Sequence, residues 1–381
     1  MSPDQRNRLL VNMLILLASF GVVAFTGTEF GKMREPDVIV PGEGVTEIRR
    51  LGEYFSALSG TPGDTDVYVL EGENPGGTYL LLGGVHANEP AGMLAAVTVL
   101  ENAVVEEGTL IVIPQTNASA FTHNGAGHAS PQFFEIETEW GARRFRYGDR
   151  LSNPLHQYPD PDVHTHYPSA TFGSGQESRN LNRNFPGRPD GTLTEAIAFG
   201  VQQLILQEEV DLVLDLHEAR PMNPIVNAVV AHERAADVAA LALVDLEITE
   251  QVSMRLEITP ERFYGVSQRE LGAHTPALAV LSESANIAMD YVHGPISSDL
   301  VLNGRDEFLA QAVTRPGLVY IDYDLEEGLP IADRVGRHLA VFSGLGAVFN
   351  EFYPDSVITI NGVPQHAEVV ENGLGAYLAR P

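Results

Sequence analysis

The 381-residue chain has no cysteine. That absence excludes disulfides, thiolate metal sites, a cysteine nucleophile and a lipoprotein anchor. Basic charge is also scarce. The 23 lysines and arginines face 51 aspartates and glutamates, giving a net charge of −28, and Lys32 is the single lysine. Nucleic-acid binding wants a basic stripe, so no nucleic-acid partner is expected; the composition suits a soluble body with a self-repelling surface. The near-absence of lysine reads as a compositional bias and carries no mechanism. No internal repeat is seen, and the length fits one large domain with a small appendage better than two equal domains.

The N-terminus departs from this polar background. Arg6 and Arg8 precede an apolar run, Leu9 to Phe25, broken by Asn12, Ser19 and Gly21. At about 17 residues the run is near the short limit for a membrane span, which needs about 20. Residues 1–30 therefore read as a secretory signal or a membrane anchor, and 31–44 as a linker. An exported protein of the periplasm or cell envelope is expected, anchored through residues 9–25 if the segment stays uncleaved.

Beyond the linker, short β-branched runs alternate with helical periodicity, the pattern of an α/β sandwich. Val67–Leu70 and Tyr79–Leu82 read as a strand pair across the turn Asn74-Pro75-Gly76-Gly77, followed by a helix at 93–105 and a strand at 109–114. Periodicity fades over residues 117–176, where Gly, Pro, His and Tyr dominate; so long a stretch inside a domain is functional or an insertion. It returns with helices at 193–209 and 234–250 and strands at 212–216, 226–230 and 277–281. Residues 45–320 make the expected catalytic domain. Residues 321–381 are expected to hold a helix at 331–342 and strands at 357–360 and 367–370, as a small β appendage.

Two segments carry metal chemistry. In TYLLLGGVHANEPAG a buried strand ends at Leu82, a tight turn follows, and His86 and Glu89 emerge before Pro90, which suits the first turn of a helix. In DLVLDLHEAR a second strand delivers His217 at its end. Two imidazoles and one carboxylate are the ligand set of a catalytic zinc with a position open for water, so one Zn2+ per chain is expected. Asp215, two residues before His217, is placed to hold that ring's other nitrogen. Between the two segments lies SRNLNRNFPG. Asn182 and Arg183 offer amide and guanidinium donors that match a carboxylate's two oxygens, and Arg179 is placed to contact the same substrate or its carbonyl.

GGVHANEPAG, NLNRNFPG with RPDGTLTEAIA, and DLHEA occur in an order and spacing that resembles the zinc metallocarboxypeptidase superfamily. More closely they resemble its succinylglutamate desuccinylase/aspartoacylase branch, over roughly Gly83 to Ala285. The resemblance implies a three-layer α/β/α sandwich around a mixed sheet with zinc at the strand ends. It implies His86, Glu89 and His217 as metal ligands, and Asn182 and Arg183 as the carboxylate-binding pair. A glutamate ending a later strand serves as general base, and PALAVLSESAN puts Glu283 there; Glu218 and Glu270 are weaker candidates. Tyr264 is a candidate substrate-binding tyrosine.

The implied activity is hydrolysis of an amide next to a carboxylate, as in an N-acyl-amino-acid deacylase, on a small-molecule or short-peptide substrate. An exported carboxypeptidase acting on envelope or peptidoglycan peptides is the alternative, with an esterase or a non-catalytic zinc-binding protein further off. Three departures separate the chain from the branch. Ala87 stands where Gly is usual, the export signal is unusual, and the insertion occupies the place of an oxyanion arginine, for which Arg143, Arg144, Arg146 and Arg150 compete with Arg179. His123, His128, His156, His164 and His166 cluster in the same insertion, which is expected to form a rim over the zinc.

Overall fold

The computed structural model describes residues 2–32, 35–125, 130–289 and 293–381. It divides into two units, Met1–Asp37 and Val38–Pro381. The first is a single helix, Pro3–Lys32, with no buried residue. Its most apolar 18-residue window has a mean hydropathy of 2.3, and the helix is long and apolar enough to cross a membrane. It extends the expected apolar run at both ends and is compatible with a signal or an anchor.

The second unit is built on a mixed sheet. Its strands are β1 (Glu47–Arg50), β2 (Asp66–Glu71), β3 (Asn74–Leu82) and β4 (Val104–Ile113). Two hairpins in the insertion follow, β5 (Phe133–Thr138) with β6 (Gly141–Arg146) and β7 (Val163–Thr165) with β8 (Phe172–Ser174). The sheet resumes with β9 (Leu212–Ala219), β10 (Ala228–Ala231), β11 (Arg255–Ile258), β12 (Leu278–Ala285) and β13 (Thr359–Asn361). The order is β1-β2-β4-β3-β9-β12-β10-β11, with β13 paired to β4. At its centre β4, β3, β9 and β12 run parallel. Parallel strands are covered on both faces and read as continuous apolar runs. Every residue of β9 and β12 is buried accordingly.

Helices cover the two faces. Pro90–Asn102 and Ala236–Thr249 share one core cluster with Ile331–Phe352, and Leu193–Gln207 contributes to a second. This is the expected α/β sandwich around a mixed sheet. Parallel strands leave their carboxyl ends on one edge, where ligands bind in open α/β sheets. Leu82, Ala219 and Ala285 end there together.

Several expectations change. β2 and β3 do not form a hairpin, because β4 lies between them and pairs with both. Residues 367–370 are helical, within His366–Asn372, where Gln365 and Glu368 form a capping box. The helix expected at 331–342 runs from Ile331 to Phe352, and β13 joins the main sheet, so the expected appendage is integrated with the larger unit.

Candidate metal and substrate site

Gly84, at φ +63, makes the turn after β3, where a Cβ would stand 2.7 Å from the Pro114 carbonyl oxygen. The turn delivers His86, and Glu89 becomes the N-cap of the Pro90–Asn102 helix with Pro90 in its first turn. Gly92 lets that helix approach β9, since a Cβ there would lie 2.4 Å from the Leu216 carbonyl oxygen. His217 is thereby brought beside the other two. One donor atom from each of His86, Glu89 and His217 lies within 4.8 Å of the others, and all three residues are buried.

The surroundings fix the protons. Asn180 gives its Nδ2 to Glu177 at 2.7 Å, so its Oδ1, 2.8 Å from His86 Nε2, accepts from that ring. His217 Nε2 donates to Asp215 Oδ2 at 2.8 Å, and Asp215 also accepts from the Ser267 hydroxyl. With each outer nitrogen protonated, each neutral ring turns a lone pair at Nδ1 toward Glu89. Nδ1 of His86 and of His217 lie 2.8 Å from the two Glu89 oxygens. Lone pairs against a carboxylate repel unless a cation stands among them or the rings are protonated. Burial, with Arg150 nearby, pushes the His86 pKa down to about 4, so protonation is disfavoured there. For His217 burial is outweighed by Asp215 and Glu89, which hold its pKa well above the usual value, so without a cation this ring is protonated and its Nδ1–H donates to Glu89, a proton that a bound metal would displace. Locked outer nitrogens and inward lone pairs are what a bound metal requires. The donor set fits a divalent cation.

A cavity of about 510 Å³ opens on this cluster and is also lined by Arg150, Asn182, Arg183, Phe263 and Glu283. Glu283 lies opposite His217 in the β12–β9 register. Its Oε2 is buried with no hydrogen-bond partner among the described residues. Burial raises its pKa to about 8; His217 and Arg150 pull it down, and Glu89 pushes it up. Asn182 Oδ1 accepts from the Ser267 backbone N–H at 2.8 Å, leaving its amide nitrogen as the donor end. The Arg183 guanidinium stands 5.2 Å above the Phe263 ring and 3.9 Å from Glu177, and burial with repulsion from Arg150 lowers its pKa. Two guanidinium groups near one another in a partly dry cavity favour an anionic ligand.

Arg179 and Tyr264 are not in this cavity. Arg179 grips Asp160 through Nε (2.7 Å) and Nη2 (2.9 Å), and the Ser152 carbonyl through Nη1. Tyr264 stacks on His166, with the Arg269 guanidinium 4.6 Å from its ring; its neighbour Phe263 lines the cavity. Among the insertion arginines, Arg143 is paired with Glu101, Arg146 binds the Phe121 carbonyl, and Arg144 lies over Phe133. Arg150 is the one at the cavity, its Nη1 2.9 Å from Glu89 Oε1. Glu218 also lines the cavity but is bound by Arg334, and Glu270 lies outside the cavity, accepting from the Gly265 N–H.

His164 and His166 bond to the carbonyls of Arg183 and Phe185, at 3.3 and 2.6 Å, bracing the arginine loop. His128 falls outside the described residues. Sequence reasoning missed Asn180, Ser267 and Phe263; Asn180 had a signal, its place in NLNRN.

The model of the succinylglutamate desuccinylase/aspartoacylase catalytic domain matches residues 141–277. That span holds Asn182, Arg183 and His217 and leaves His86, Glu89 and Glu283 outside. No curated protein matches. Among solved structures, a succinylglutamate desuccinylase/aspartoacylase from Rhodobacter sphaeroides is 16% identical, with 74% of this chain and 59% of that one covered and a TM-score of 0.40. The ectoine utilization protein EutE from Ruegeria pomeroyi is 22% identical, covering 70% and 65%, at a TM-score of 0.37. The cell shape determinant protein Csd4 from Helicobacter pylori is 12% identical, covering 81% and 60%, at a TM-score of 0.44. This chain thus spans less than two thirds of each. Motifs and family match agree, and the chain resembles the succinylglutamate desuccinylase/aspartoacylase branch of the zinc metallocarboxypeptidase superfamily.

Proposed function

We propose that this protein is a zinc-dependent hydrolase that cleaves an amide bond next to a carboxylate-bearing group, in the manner of an N-acyl-amino-acid deacylase. The observation that carries the reading is one cavity lined by His86, Glu89, His217, Arg183 and Glu283. One zinc per chain, held by the two Nδ1 atoms and the Glu89 carboxylate, would supply Lewis acidity toward a water and the scissile carbonyl.

The protein's own groups do the rest. Arg183 and the Asn182 amide take the substrate carboxylate and hold the amide in register. Glu283 receives the proton of the attacking water at its unpartnered oxygen and passes it to the leaving amine; a carboxylate whose pKa is raised by burial suits both transfers. Arg150 takes the part first considered for Arg179, a positive charge beside the developing oxyanion. Asp215 and Asn180 keep the histidine nitrogens facing inward. The N-terminal helix supports export to the cell envelope, cleaved or anchored. That helix, together with a second cavity adjoining the first, also favours an exported carboxypeptidase as the second reading.

Metal analysis of purified protein should find about one zinc per chain, as a single three-ligand site requires. Chelation should abolish hydrolysis of N-acyl amino acids or peptides, and added zinc should restore it. Tight zinc binding without turnover of either substrate class would overturn the proposal.

A further inference from the structure

The main sheet ends at β11, which pairs with β10 and no other strand. Within that parallel pair the Arg255 N–H donates to the Asn227 carbonyl and the Thr259 N–H to the Ala231 carbonyl. The alternate residues, Met254, Leu256 and Ile258, therefore turn their backbone groups outward, where they meet no partner among the described residues. Neither a proline nor a bulge interrupts the strand. Such a row of unpaired N–H and C=O groups is a template for one more strand.

Arg255 and Glu257 share one face of β11, and Leu256 turns to the other, where it packs on the core. Glu257 is exposed and has no ion-pair partner among the described residues, while Arg255 holds only the backbone carbonyls of Pro224 and Val226. The other edge of the sheet differs: on β1, Glu47 and Arg49 pair with each other, and Arg49 also with Glu208. An antiparallel twin of β11, related by a twofold axis at Leu256, sets Leu256 against Leu256, Met254 against Ile258 and Arg255 against Glu257. Every opposed pair is then apolar or oppositely charged, and both kinds favour pairing. Shifting the axis to Arg255 or Glu257 opposes like charges. Shifting it to Ile258 sets Pro260, which has no N–H, against Leu256.

We infer that β11 is the contact between two copies of this chain, joined edge to edge into one continuous sheet. A self-complementary strand is what a twofold contact requires. Leu256 of each copy exchanges a pair of hydrogen bonds with its twin, and Met254 does the same with Ile258. The helix Ala236–Thr249 packs against β11 and exposes Leu241, Val244 and Ile248, spaced as one stripe. Joining the sheets brings this helix beside its twin, which covers the stripe. The contact also reaches the site, because Glu257 and Ile258 line the metal cavity. Arg255 of the second copy stands against Glu257 there and completes the outer wall.

The test uses the full chain in detergent, with the mass of the protein part measured by light scattering over a concentration series. Wild type should be dimeric. Arg255→Glu leaves two acidic residues on the strand and Glu257→Arg two basic ones, so each variant alone should associate about tenfold or more weakly. Mixed in equal amounts, the two restore both charged pairs and should form the mixed dimer at wild-type strength. The chain has no cysteine, so introduced ones report cleanly. Opposed residues that share no hydrogen bonds lie about 4.5 Å apart at Cα, within reach of a disulfide. Arg255→Cys chains oxidised together with Glu257→Cys chains should cross-link, and neither should cross-link with itself. A wild type that stays monomeric throughout the series, a dimer indifferent to both charge variants, folded charge variants that stay apart when mixed, or folded cysteine variants that fail to cross-link would each overturn the proposal.

Discussion

Arg334 is the sharpest place to perturb this molecule. It lies on the Ile331–Phe352 helix beneath the metal edge and is almost completely buried. Its Nε and Nη2 each stand 2.8 Å from Glu218 Oε1, and Nη1 donates to the Val301 carbonyl at 2.7 Å. Glu218 Oε2 accepts from the Ala91 N–H at 3.0 Å and from Asn286 at 3.1 Å. Glu218 follows the candidate ligand His217, so the pair holds the end of β9 from below. Arg334→Met removes the cation and leaves the carboxylate in a dry site. Stranding one member of a buried pair costs about 3–5 kcal/mol. With an unfolding entropy of about 2.1 cal/mol/K per residue, a unit of this length shifts by roughly 1.4 °C per kcal/mol, so the melting temperature should fall by about 4–7 °C. Glu218→Gln combined with Arg334→Met removes both charges and keeps an acceptor for Ala91, so it should recover most of the loss, because replacing both partners is close to neutral. Thermal and urea unfolding of the two variants against wild type give the answer. A loss below about 1 kcal/mol for the single variant, in the range of an exposed ion pair, would refute the reasoning, as would a double variant no more stable than the single.

Glu283→Gln should retain zinc and lower kcat/KM by about 10²–10⁴-fold, the usual contribution of a general base. The wild-type acid limb should lie above the ordinary carboxylate value, since burial raises the Glu283 pKa, and this limb should vanish in the variant; pH–rate profiles decide. Asp215→Ala should weaken zinc binding by about 10–100-fold, as loss of a histidine's outer partner does, measured by competition with a chelator. His338, whose two nitrogens lie 3.0 Å from Ser282 and Ser284, has its pKa pushed to about 3, chiefly by burial. The unfolded chain protonates this ring near pH 6.5 and the folded one does not, so stability falls as pH drops from about 6.5 toward 3. His338→Asn should remove from the wild-type curve a slope of about 1.4 kcal/mol per pH unit in that window; equal slopes would refute the assignment.

The donor residues were legible because each sits in a short motif whose local physics is self-contained. A buried strand, a glycine turn and a proline-led helix fix His86 and Glu89 whatever the rest of the chain does. What was not legible depended on distant partners. Arg143, Arg144, Arg146 and Arg150 look alike in sequence; Glu101, Phe133, Phe121 and Glu89 separate them, and two of these four, Glu89 and Glu101, precede the insertion. Asn74-Pro75-Gly76-Gly77 looks like a hairpin turn, but β3 pairs with β4 and β9 along its two edges, which leaves no edge for β2. The long helix was expected at 331–342, and it runs on through Gly344 and Gly346 to Phe352. Gly344 seats the helix against Leu246, where a Cβ would already stand 3.1 Å away, and packing outweighs its poor propensity. The outcome reaches the site itself. The same helix carries Arg334 under Glu218 and, four residues on, His338 under Ser282 and Ser284, which flank Glu283. The candidate ligand and the candidate base are thus supported from one helical face, so the geometry between His217 and Glu283 depends on residues that no local motif announces.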